Sequence, residues 1–150
     1  MSLGIENEKM TRLNLNDTRN SERKIQELKN NIAGVSEERW RAALAKDQNA
    51  VARARLKASE KTLENCDAIA GYLNHFSPPL SNEIRMREQN ARNSLQQIKS
   101  TTNSREIHDW IKSELIPPTK MAERLAHLAA TSVRKAQGED LGIHKWTGPR

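Results

Sequence analysis

SEERWRAALAKDQNAVARARLKASEKTLENCDAIAGYLNHFSPP, residues 36–79, decides the fold class. Its apolar residues Trp40, Leu44, Val51, Leu63, Ile69, Leu73 and Phe76 fall on one broad arc when 100° is counted per residue. Ser36 opens the stretch as an N-cap, with Glu37 and Glu38 at the positive end of the helix dipole. Pro78 and Pro79 close it, because neither donates a backbone hydrogen bond and each disfavours helix before it. Such a helix spans about 60 Å if unbroken. Gly71 and the Gln48–Asn49 region are its expected weak points.

The helical period continues on both sides. Asp17 to Ala33 carries Ile25, Leu28 and Ile32 at helical spacing, ahead of Gly34, an expected C′ stop. From Ser81 onward, Ile84, Ala91, Leu95 and Ile98 recur at near-heptad spacing. A short segment, Arg105 to Leu115, places Ile107, Trp110, Ile111 and Leu115 on one side, and "IPP" (116–118) should stop it. Thr119 to Gln137 faces Met121, Leu125, Leu128 and Val133 inward, with Gly138 as its expected stop. Only three valines occur, and no alternating β-branched run exists. The expected fold is therefore all-α. It is an elongated bundle of four to five helices built from coiled-coil-like antiparallel hairpins, with reversals at 77–80 and 116–118. One helical domain (17–137) sits between a flexible N-terminal segment (1–16) and a C-terminal tail (138–150).

Composition limits the core. Hydrophobic residues make up 35% and aromatics 3% of the 150, whereas ordinary globular chains are roughly 45–50% apolar. A thin core with solvated outer faces follows, with apolar seams that a second copy could complete. The charge, +6 from 25 basic and 19 acidic residues, describes a nearly balanced polyampholyte rather than a polybasic arm. Cys66 is the single cysteine, which excludes an internal disulfide and a cysteine-based zinc cluster. It sits between Leu63 and Ile69 and is expected in the core. No apolar run reaches the ~18 residues that cross a bilayer, and the N-terminus lacks a signal-peptide layout. These features predict a soluble, cytoplasmic protein without a membrane role.

His75, His108, His127 and His144 form no ligand-spaced pair, and no hydrolase, phosphate-loop or dinucleotide motif is present. No metal, cofactor or small-molecule substrate is expected, and an enzyme is disfavoured. The expected function is a non-enzymatic helical interaction module, self-associating and binding a protein partner through Trp40, Leu44, Val51, Leu63, Leu73 and Phe76. Trp146, in the tail "GEDLGIHKWTGPR" (138–150), is either a lid on the bundle end or a second docking anchor.

A rival function comes from the opposite arc. Arg39, Lys46, Arg53, Lys57 and Lys61 lie within about 80° of one another and form a ridge that could track nucleic acid or an acidic partner. The bland alternative is a solvated back face pairing Lys57 with Glu60 and Lys61 with Glu64. Gln48 and Arg55 interrupt the apolar arc. An uncovered, partner-facing stretch is expected there in preference to a buried polar layer, which is costly unless its groups are satisfied.

Overall fold

The computed structural model describes the backbone of residues 2–44 and 46–147, and the side chains of 15–44 and 46–135. Its helices are α1 (Ser2–Ala33), α2 (Arg41–Leu44), α3 (Gln48–Tyr72), α4 (Pro78–Ile98), α5 (Ser104–Trp110) and α6 (Ile116–Thr147). A 3₁₀ turn, Glu38–Trp40, leads into α2, and a π turn, Ile111–Leu115, joins α5 to α6. The fold is all-α, a helical bundle, as the periodicity predicts.

The long helix expected over 36–76 divides at one of its expected weak points. Asp47 takes an extended conformation and its carboxylate accepts the Ala50 N–H at 3.0 Å, so it caps α3. The other end falls at Tyr72, one residue past Gly71. Pro78 and Pro79 occupy the first turn of α4, where a missing N–H costs nothing, and Ser77 before them is extended.

The second Pro-Pro pair behaves otherwise. The sequence predicts a stop at 116–118, but the chain stays helical from Ser104 onward. The Ile116 N–H bonds Ile111 O, five residues back. This widened turn accommodates Pro117 and Pro118, which would otherwise leave a gap and a clash in the i→i−4 ladder. The reversal lies at 99–103 instead, where the Asn103 side chain accepts from the N–H groups of Arg105 and Glu106.

Other boundaries also move. α6 runs to Thr147, past Gly138; an interior glycine costs a helix about 1 kcal/mol without forbidding it. α1 starts at Ser2 rather than near Asp17. Gly34 does end α1 but adopts no left-handed conformation. It admits α3 closely instead: a β-carbon on Gly34 would stand 3.3 Å from Ala58 Cβ.

α1, α3, α4 and the α5–α6 run form an up-down-up-down bundle. α3 packs against all three of the others, and α1 closes the ring on α6. Asn31 Nδ2 donates to Asn65 Oδ1 at 2.7 Å, while Gly34 lies on Ala58; moving forward along α1 thus means moving backward along α3. Arg85–Asp67 ties α4 to α3, and Trp110 Nε1 donates to Ser94 Oγ at 2.8 Å across α4 and α5. Trp110 is buried and anchors α5 as expected.

The core has two parts. Leu28, Cys66, Ile69, Leu73, Ile84 and Leu125 fill one, with Ala122, Ala126 and Ala129 letting α6 close in. Val35, Leu56, Leu63, Leu95, Trp110 and Leu115 belong to the other. Leu128, expected inward, is 40% exposed, because the alanine face of α6 takes the inward position. The buried hydroxyls of Ser59, Thr62 and Thr119 donate to carbonyls four residues back. They therefore lie inside without orphaned donors.

Candidate functional site

The residues expected to bind a partner separate into two groups. Val51, Leu63 and Leu73 are 3%, 0% and 1% exposed. They are core residues of a single chain, and the open seam predicted along α3 is filled by α1, α4 and α6. A helical wheel drawn on one segment cannot show how many neighbours will cover it. Phe76 is half-buried against the first cluster. Trp40 is half-buried as well, its indole N–H donating to Gly34 O at 2.7 Å, so it fastens the 3₁₀ turn to the end of α1. The side chain of Trp146 lies outside the described residues.

Leu44 opens onto a groove. This groove, about 720 Å³, runs between the α1–α2 connection and the α5–π turn. Ile32, Leu44, Ile111 and Ile116 line it half-exposed, with Val35 buried behind them. Glu37, Glu38, Arg41, His108 and Lys112 form a charged rim. The α2 turn supplies Leu44 and Arg41, and the π turn supplies Ile111 and Lys112. Both walls are thus interruptions of regular α-helix, and π turns recur at functional sites.

Arg55 lies beneath the groove and lines it while being only 2% exposed. The partner-facing stretch expected here is a buried polar layer instead, although Gln48, the first residue of α3, is exposed. Arg55 Nε donates to Val35 O at 2.8 Å and Nη1 reaches Ser104 Oγ at 3.4 Å. Ser104 Oγ in turn donates to Glu37 Oε1 at 2.9 Å. One side chain therefore ties α3 to both chain segments that wall the groove. Burial pulls the Arg55 guanidinium below its ordinary range, and the Glu37 carboxylate opposes that pull.

The basic ridge is exposed throughout: Arg39, Lys46, Arg53, Lys57 and Lys61 all face outward. Among the described residues none of the five has a carboxylate within ion-pair distance, so the expected Lys57–Glu60 and Lys61–Glu64 pairs do not form. Arg39 belongs to the 3₁₀ turn rather than to α3. It nevertheless meets Lys57 and Lys61 at a shallow depression of about 250 Å³ that Asn30, Asn31 and Trp40 also line.

No protein-family model matches the chain, and neither a curated protein nor a solved structure is significantly similar to it. The groove and ridge must therefore be read from their own chemistry.

Cys66 is fully buried beside Thr119 Oγ1, at 3.8 Å. Burial pushes its thiol up to about 12, so it is a core residue and no nucleophile at neutral pH. His75, His108 and His127 are exposed. Among the described residues, no three histidine, cysteine or acidic side chains gather as a metal site would require. Among them, too, no helix is long and apolar enough to cross a membrane.

Ile116 and Lys112 are the groove residues that periodicity does not single out, and Ile32 and Ile111 it marks only as inward-facing. The available signal was Arg55, a cation inside an apolar arc, together with the proline pair that forces the π turn.

Proposed function

We propose that this protein is a non-enzymatic helical interaction module that docks a protein partner in the groove between the α1–α2 connection and the α5–π turn. The observation that carries this reading is the set of half-exposed aliphatic side chains, Ile32, Leu44, Ile111 and Ile116, in one concavity with a charged rim. An apolar floor with a polar edge is the anatomy of a hot-spot pocket. Seating one leucine-sized side chain there would contribute about 1.5–3 kcal/mol. The function differs from the seam expected on α3 in its location and keeps only Leu44 from that set.

The test places a photo-crosslinking amino acid at Leu44 and, as control, at Met86, which is 54% exposed on α4. The expected result is one defined adduct from Leu44, absent from Met86, and abolished by Ile111→Asp at a temperature where circular dichroism shows that variant folded. Equal adducts from both positions, or an adduct indifferent to Ile111→Asp, would refute the reading.

The unpaired ridge favours a second reading, nucleic-acid binding, in which Arg39, Lys57 and Lys61 contact the phosphate backbone. A protein neutralising several phosphates loses affinity by orders of magnitude between about 50 and 200 mM salt. Absence of binding to mixed-sequence DNA and RNA at the lower concentration ends this reading. So does binding that survives Lys57→Glu with Lys61→Glu.

A further inference from the structure

Arg55 carries a positive charge into a poor solvent for charge. It is 2% exposed, and among the described residues no carboxylate stands within 4 Å of it. The nearest help is indirect, passing from Glu37 through Ser104 Oγ. A guanidinium offers five N–H donors. Here Val35 O and Ser104 Oγ accept from it, and no other bond from it is made within the described residues. A buried cation without a direct counter-charge is destabilising, and a bound anion relieves the cost. Arg55 also lines the groove, so an anion seated there can reach it.

The groove restricts which anion fits. Arg41, Arg55 and Lys112 set against Glu37 and Glu38 leave a balance of three cations to two carboxylates, or +1 with His108 neutral. One negative charge neutralises the site. A doubly charged phosphate would overshoot and sit beside two carboxylates, whereas a planar carboxylate matches the guanidinium fork. The adjoining walls are Ile32, Ile111 and Ile116, which require an apolar neighbour for that carboxylate.

We infer that the groove takes a peptide segment of a partner protein in which one acidic side chain is flanked by aliphatic ones, its carboxylate pairing with Arg55. This rests on the groove being the docking surface and specifies what docks there. Arg55 would then set specificity, because the same peptide without the charge leaves the guanidinium buried and unrelieved.

The test uses the full chain, labelled for NMR, and two short acetylated peptides, one of three leucines and one glutamate, the other with glutamine in its place. Hexanoate and hexan-1-ol are the corresponding fragments. The expected result is saturable shifts of the Arg55 Nε–Hε signal and of the Ile111 and Ile116 methyls. The acid of each pair should bind at least about tenfold tighter than its neutral twin. Arg55→Met should erase that preference while retaining apolar binding; if that variant fails to fold, the twin comparison on the unaltered protein still decides. Equal affinity of acid and neutral twins overturns the inference and leaves the docking groove standing. Binding of hexanoate but of neither peptide overturns it in favour of a free carboxylate. No groove shifts with any of the four probes removes the docking surface as well.

Discussion

Replacing Leu63 by alanine separates a monomer with its own core from a helix that waits for a partner. Leu63 is 0% exposed, in the cluster that joins α3 to α4 and α5. Truncating a leucine in such a site costs about 2.7–5 kcal/mol, the spread depending on how far the neighbours collapse into the space. Here Leu56, Leu95 and Trp110 come from three helices locked by their own contacts, so collapse is limited and about 3–4 kcal/mol is expected. For a domain of this size each kcal/mol moves the melting temperature by roughly 2–4 °C, giving a fall of about 6–16 °C. Circular dichroism melts at two protein concentrations a hundredfold apart measure it. Leu128→Ala, at a position 40% exposed, is the internal control and should move the midpoint by about 2 °C or less. A Leu63→Ala loss no larger than that control, or one that depends on protein concentration, would show that α3 is covered by a second chain rather than by α1, α4 and α6.

Three further outcomes follow from single contacts. Cys66 has a folded pKa of about 12 against an ordinary value of 9.0. Above about pH 9 only the unfolded chain releases that proton, so stability should fall by about 1.4 kcal/mol per pH unit up to about 12. Cys66→Ala, compared by denaturant titration across that range, should lose this component of the slope. Asp47→Ala leaves the Ala50 N–H without its acceptor and should cost about 0.5–2 kcal/mol in urea titration. An unchanged midpoint would mean that Asp47 is not the start signal of α3. Trp110→Phe keeps the ring in its core position but removes the N–H that Ser94 Oγ accepts, leaving that hydroxyl only its bond to Ala91 O. It should cost about 0.5–1.5 kcal/mol, and pairing it with Ser94→Ala in a double-mutant cycle should return most of that as coupling.

The fold class was legible because Leu28, Leu63, Ile69, Leu95 and Leu125 repeat at helical spacing and all are buried. So were the breaks at the Gln48–Asn49 region and at Pro78–Pro79, though not that Asp47 caps α3 or that the prolines open α4. The candidate site was less legible, for two physical reasons. Val51, Leu63 and Leu73 look the same on a wheel whether a partner or the chain's own helices cover them; only the count of neighbours distinguishes the cases. Arg55 looked like a sign of exposure because its partners, Val35 O and Ser104, stand 20 and 49 residues away. A buried cation bonded to distant residues and an uncovered one share the same local sequence. The ridge is legible as a set of exposed cations, but the approach of Arg39 and Trp40 to Lys57 and Lys61 depends on the 3₁₀ turn, which periodicity does not encode.

The π turn at Ile111–Leu115 also corrects the angular phase of the final helix. Counting about 100° per residue from Trp110, a plain α-helix would carry Ala122, Leu125, Ala129 and Val133 to between about 60° and 140° around the axis. All four are nonetheless buried with Trp110 in this bundle. Absorbing one residue in the wide turn rotates them back to within about 40° of it. The proline pair therefore works as a gear tooth, letting two helical segments of mismatched phase present their apolar faces to one interior. Deleting a single residue from the turn to leave plain α-helix should therefore keep Leu125 within about 40° of Trp110 and buried, whereas deleting one residue after Pro118 with the wide turn retained should swing Leu125 by about 100° toward solvent.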